Sequence, residues 1–228
     1  MTDLGAHTWQ EVAERAAATL LILPVGSTEQ HGPHLPLATD TEVANALARG
    51  LAEQRSDALV APALAYGSSG EHAGFPGTLS IGRDALEQLI VELGRSADAF
   101  GGLLIVSGHG GNTEPLTAAV ATLTGEGRRT RLWSPRPIPS ESRFDAHAGW
   151  AETSVLLALS PAAVRTERAQ PGATAPMREF SASLREGGVA AVSANGVLGD
   201  PTGASAAEGR RLLEQWGGDL AGSVAGWP

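Results

Sequence analysis

The chain has 228 residues, 42% of them hydrophobic, which suits one α/β domain with a sizeable core. Its formal charge is −9 and its arginines are scattered, so it lacks the basic face a nucleic-acid binder needs. It contains no cysteine, so disulfides and thiolate metal sites are excluded and any metal must be held by His, Asp and Glu.

The first ten residues lack a basic region followed by an apolar run, so no secretory signal is expected. No apolar stretch reaches the ~20 residues needed to span a bilayer. The expected location is the cytoplasm. A short helix is predicted over Thr8 to Ala17. Thr19 to Val25 reads as a buried strand, because Leu20, Leu21, Ile22, Leu23 and Val25 run almost without alternation. A glycine- and proline-rich loop then carries Glu29, His31, His34 and Asp40. Thr39 or Asp40 can cap the next helix, Thr41 to Gln54, whose inward positions are Val43, Ala44, Leu47, Ala48 and Leu51.

Ala58 to Ala65 is a second strand, followed by the loop Tyr66-Gly67-Ser68-Ser69-Gly70-Glu71-His72. Arg83 to Phe100 reads as an amphipathic helix with Leu86, Leu89, Ile90 and Leu93 inward. Gly102 to Val106 is a third strand, ending in Ser107-Gly108-His109-Gly110-Gly111-Asn112. Thr113 to Thr124 is a helix and Thr130 to Ser134 a fourth strand. This repeat of strand, loop and helix predicts a three-layer α/β/α domain over 1–228, with a mainly parallel central sheet. Ligands bind such sheets at the carboxyl ends of the strands, where the polar loops fall.

Beyond the strands, Pro135, Pro137 and Pro139 stiffen a connecting loop. Asp145 to Ser154 then leads into a helix over Val155 to Leu159. A long loop is expected over Pro161 to Met177, and little periodicity over Gly187 to Gly203. The last helix runs from Ala204 to Leu220, with Ala207, Leu212, Leu213 and Trp216 on one side.

Glu29 and His31 are two apart, so in extended backbone they face the same way and can meet one ion. Asp40 returns after a short loop, placed to bridge two ions. His109 arrives from the third strand and Glu152 from the late helix. Five such ligands exceed the needs of one four-coordinate zinc and suit a pair of divalent ions. Asp40 alone equally fits a helix cap, His109 a satisfied loop histidine, and Asp145 a structural role. His34 and His72 fit positions behind the ligands or facing substrate.

Four motifs carry a resemblance. They are Gly26-Ser27-Thr28-Glu29-Gln30-His31-Gly32-Pro33-His34-Leu35-Pro36 with Asp40, and His72-Ala73-Gly74-Phe75-Pro76-Gly77-Thr78. The others are Gly108-His109-Gly110-Gly111-Asn112, and His147-Ala148-Gly149 followed by Glu152-Thr153-Ser154. In this order they resemble the creatininase family of amidohydrolases. The resemblance implies two divalent ions (zinc, iron or manganese) on Glu29, His31, Asp40, His109 and Glu152, with Asp40 as the bridge. It implies His147 as the catalytic histidine, serving the proton of the leaving nitrogen. Some members carry an acidic ligand where this chain has Gly111, which puts weight on Glu152 and against creatinine ring opening.

The stretch Ser142-Arg143-Phe144 to Ser154 and the tail from Gly196 to Gly209 look like a peptidase group within the family. Those members trim a modified precursor peptide, releasing a carboxyl-terminal Val-Tyr-type dipeptide. Tyr66 to Glu71 and Trp150 are then expected to shape the substrate pocket. Backbone amides of Gly110 to Asn112 are expected at the oxyanion. The resemblance also implies a closed homo-oligomer, such as a hexamer. The competing readings are a creatinine or formamide-type amidohydrolase, and a non-catalytic binding protein on the same fold.

Overall fold

The computed structural model describes residues 2–136 and 145–227; Pro137, Pro139 and Phe144 lie outside them. Four strands, β1 (Leu20–Val25), β2 (Ala58–Val60), β3 (Gly102–Ser107) and β4 (Thr130–Trp133), form an all-parallel sheet in the order β2-β1-β3-β4. The helices are α1 (Trp9–Ala13), α2 (Thr39–Gln54), α3 (Arg83–Ser96), α4 (Thr113–Gly125), α5 (Trp150–Leu159), α6 (Met177–Gly187) and α7 (Ala206–Ser223).

Alternate residues of each central strand feed opposite cores. Leu20, Ile22, Leu104 and Val106 pack with α2, α5 and α7. Leu21, Leu23, Leu103 and Ile105 pack with α3 and α4. Burial on both faces explains the unbroken apolar runs and gives the three layers expected.

Several boundaries differ from the sequence expectation. β2 stops at Val60 because Pro62 has no N–H to donate; beyond it, only Leu64 makes a single bridge to Val25. On α3, Leu89 and Leu93 are exposed, while Val91 and Gly94 are buried. Gly94 lies against the Leu123 side chain, which turns that face toward α4. On α7, Ala207 is exposed and Gly209 and Leu220 join Leu212 and Trp216 inside. Helix α5 starts at Trp150, five residues earlier than expected, with Asp145 Oδ2 accepting from Ala151 N–H at 2.6 Å. Helix α6 falls between the expected loop over Pro161 to Met177 and the aperiodic stretch from Gly187, and it turns Phe180 and Leu184 inward.

Among the described residues, no helix is long and apolar enough to cross a membrane.

Candidate metal centre

The loops that leave β1, β2 and β3 converge at the carboxyl ends of the strands, and the start of α5 closes the group. Gly108 makes the approach possible: a Cβ there would overlap the carbonyl oxygen of Asp40. Asp40 therefore sits in the first turn of α2 directly beside the end of β3. It is not the cap of that helix, whose N-cap position is Ala38 with no side-chain cap bond. Thr39 turns back to donate to Pro36 O at 2.7 Å. The Asp40 carboxylate instead points into the cluster and accepts from Ser27 Oγ at 2.6 Å.

Around it, His31 Nε2 lies 3.1 Å from Asp40 Oδ1 and 3.8 Å from Glu152 Oε2. His109 Nδ1 lies 3.5 Å from Asp40 Oδ2, and its Nε2 lies 3.2 Å from Glu29 Oε2. Glu29 Oε1 is 3.2 Å from His72 Nε2 and 3.8 Å from His147 Nδ1. Glu152 Oε2 accepts from Ala148 N–H at 2.6 Å. That residue has a φ of 51°, an uncommon conformation for alanine, in the turn between His147 and α5. The structure thus brings together Glu29, His31, Asp40, His109, His147 and Glu152, from parts of the chain more than a hundred residues apart.

The electrostatics describe a site short of positive charge. Burial, with Asp40 nearby, pushes Glu29 up to about 7. Burial also pushes Glu152 up to about 7, with His31 opposing and Asp40 adding to it. Burial opposes charging His31, but Asp40 and Glu152 win and raise it to about 10. His109 rises to about 9 against its own burial through Glu71, Glu29 and Asp40. Asp40 is held below the ordinary carboxylate range, because His31 and His109 outweigh its burial. His147, by contrast, is kept neutral by burial and by the neighbouring His31 and His72. His31 and His109 are the imidazoliums set against the buried Glu29 and Asp40 and the partly buried Glu152.

These residues fit divalent ions. Both oxygens of Glu29 are buried without an aligned hydrogen bond among the described residues, although His109 Nε2 stands 3.2 Å from Oε2. Donor atoms at that spacing without aligned hydrogen bonds suit ligands of a common ion. Three triads bring donor atoms within 4.8 Å of one another: Glu29–His31–Asp40, His31–His147–Glu152 and Glu29–His72–His147. All donors are oxygen or imidazole nitrogen, a set that accepts zinc, manganese or iron.

The remaining expected residues occupy distinct places. His72 lies in the cluster, and Glu71 Oε1 stands 3.5 Å from His109 Nε2. Tyr66 is 52% exposed. His34 is fully buried and shares a 2.8 Å hydrogen bond with Thr153 Oγ1, tying the first loop to α5. Asn112 is a clamp between loops: Ser68 N–H donates to its Oδ1 at 2.8 Å and its Nδ2 donates to Gly26 O at 3.0 Å. The Asn112 backbone N–H donates to His109 O at 3.3 Å, so that amide is not open to an oxyanion as expected. Trp150 belongs to the core with Val155, Leu156 and Trp216, and its Nε1–H donates to Gly203 O at 3.3 Å.

Three contributors had no signal in the residue spacing. Ser27 holds Asp40, Gln30 lies at the centre of the histidines, and the segment Gly196 to Leu198 frames the site. Leu198 pairs with His147 through backbone bonds of 2.9 and 3.2 Å. The tail motif around Gly196 was the available clue.

Fold and site together define a three-layer α/β protein with a carboxylate–imidazole centre of the kind that holds divalent ions. The family described as Creatininase: Creatinine amidohydrolase matches residues 6–224, and the chain belongs to the creatininase family. It is 50% identical to the mycofactocin precursor peptide peptidase of Mycolicibacterium smegmatis, over 99% of this chain and 92% of that protein. It is 31% identical to the creatinine amidohydrolase of Pseudomonas putida, over 76% of this chain and 78% of that one. A solved structure described as Creatininase Mn superposes with a TM-score of 0.85 at 27% identity, covering 100% of this chain and 99% of that one. A creatininase variant of Zn-Zn type gives 0.82 at 29% identity, covering 100% and 98%.

Proposed function

We propose that this chain is a dinuclear-metal peptidase of mycofactocin biosynthesis, releasing a carboxyl-terminal Val-Tyr-type dipeptide from a modified precursor peptide. The observation that carries this reading is 50% identity to a mycofactocin precursor peptide peptidase across nearly the whole chain. Glu29, His31, Asp40, His109 and Glu152 would hold two divalent ions, zinc, iron or manganese, with Asp40 shared between them. The partly unmatched negative charge of the cluster supports that assignment. When bound, such ions supply Lewis acidity, polarising a carbonyl and lowering the pKa of water.

The protein's own groups do the rest. Ser27 fixes the Asp40 carboxylate, and Ala148 N–H fixes that of Glu152, so both are aimed before substrate arrives. His147, buried and neutral, has an open nitrogen to carry a proton to the leaving amine. Tyr66 and Glu71 stand toward solvent, where the peptide would enter.

Exposed Leu37, Leu79, Ile81, Leu89 and Leu93 supply apolar surface for the homo-oligomer that the family resemblance implies. Light scattering of the purified protein checks that assembly.

Mass spectrometry of products separates the peptidase reading from its nearest rival. The expected result is dipeptide release from a Val-Tyr-ended precursor and no ring opening of creatinine. Hydrolysis of creatinine with the peptide untouched would overturn it in favour of the amidohydrolase reading.

A further inference from the structure

Gln30 reaches both His72 and His147, and its hydrogen bonds can be accounted for atom by atom. Two backbone groups fix which end of its carboxamide is oxygen. Gly32 N–H donates to Oε1 at 2.9 Å, and Nε2 donates to Gly196 O at 3.0 Å. A flipped amide would set oxygen against oxygen and N–H against N–H. The second Nε2 hydrogen then meets His72 Nδ1 at 2.8 Å, so Nδ1 accepts and the ring proton sits on Nε2, facing Glu29 Oε1.

Both amide hydrogens are thereby used. His147 Nε2 has Gln30 Nε2 at 3.1 Å and the Gln30 backbone oxygen at 2.8 Å. With no hydrogen left on the amide for it, His147 Nε2 must be the donor, to the backbone oxygen. Its Nδ1 then carries a lone pair, directed to the side where Glu29 Oε1 lies 3.8 Å away.

We propose that Gln30 is a positioning residue that sets the protonated nitrogen of His72 and His147. It keeps His72 out of the metal ligand set and leaves His147 Nδ1 free to take and return a proton. This rests on the peptidase reading for its catalytic consequence, but the ring protonation stands by itself. It also chooses among the donor triads, since Glu29–His72–His147 would need the His72 Nε2 lone pair.

Gly196 is the second half of the device. Its φ is 81°, and a Cβ there would overlap the Gln30 carboxamide. A substitution at this loop residue, over 160 positions away, should act like one at Gln30.

Long-range 1H–15N NMR of the imidazoles tests this, in metal-free and zinc-loaded protein. The six histidines are assigned through single His→Gln variants. Wild type should show protonated Nε2 on both His72 and His147. Gln30→Glu should move the His72 proton to Nδ1, because the new carboxylate can only accept. Gln30→Glu and Gly196→Ala should each lower kcat about 10²-fold with zinc stoichiometry retained. Nδ1–H on wild-type His72, or an unprotonated Nε2 on His147, would overturn the proposal, even if neither variant folds. So would variants that keep the wild-type ring pattern and kcat, or a His72→Gln variant that loses zinc. The expected ring pattern in a wild-type protein that cleaves no peptide would support the positioning role and remove the peptidase reading.

Discussion

Asn112→Ala is the substitution whose cost follows most directly from the geometry. Asn112 is fully buried and joins the loop after β2, at Ser68 N–H, to the end of β1, at Gly26 O. Alanine leaves both backbone groups buried without those partners, at about 1–3 kcal/mol each, so about 2–6 kcal/mol together. For a chain of this length, each kcal/mol lowers the melting temperature by about 2–4 °C. A fall of roughly 4–24 °C is expected, measured in chelator so that metal linkage does not contribute. The centre should loosen as well, because Ser68 O lies 3.1 Å from His109 Nε2 and Ser27 holds Asp40. Zinc competition should then show affinity weakened about 10–100-fold. Asn112→Asp keeps the acceptor for Ser68 but loses the donor to Gly26. It should also be destabilised, through the carboxylate facing that carbonyl. A melting temperature for Asn112→Ala within 2 °C of wild type would refute the clamp.

Other expectations are as direct. His34 is buried with Nδ1 unpartnered, and burial, helped by His31, lowers its pKa from 6.5 to about 4. The unfolded chain takes up this proton first, so the stabilising contribution is present above about pH 6.5 and is lost as pH falls toward 4. The loss is about 3 kcal/mol; comparing the slopes of wild type and His34→Gln by denaturant titration across that window checks it. His147→Gln should retain zinc and lose about 10²–10⁴-fold in kcat on the precursor peptide; retained turnover would exclude His147 as the proton carrier. Asp40→Asn should lower metal content, measured by mass spectrometry of the digested protein, because it weakens the donor both ions would share.

Much of the centre could be read from the chain because its donors cluster in short motifs at strand ends. Glu29 and His31 share a face by simple alternation, and glycine-rich loops mark where strands stop. What could not be read depends on contacts between distant segments. A carboxylate in a first helical turn can cap or face inward, and only Ser27 and His31 across the loop decide that Asp40 faces inward. Gln30 carries no signal of its own between Glu29 and His31, since its role depends on Gly196 and two histidine rings arriving from elsewhere. Leu89 and Leu93 fit the helical stripe of α3, but the close packing of Gly94 on Leu123 rotates them outward. Helix α6 does carry a helical spacing, Met177, Phe180 and Leu184 at i, i+3 and i+7, but over so short a stretch that it passes for loop, and it packs on the loop that carries Glu71 and His72.

Digestion of the precursor peptide by protein stripped of metal and then reloaded tests the central claim most directly. The account predicts no cleavage after stripping, and release of the carboxyl-terminal dipeptide restored by about two equivalents of zinc or manganese per chain. Cleavage that persists in the stripped protein, or a reloaded protein that leaves the peptide intact, would contradict it.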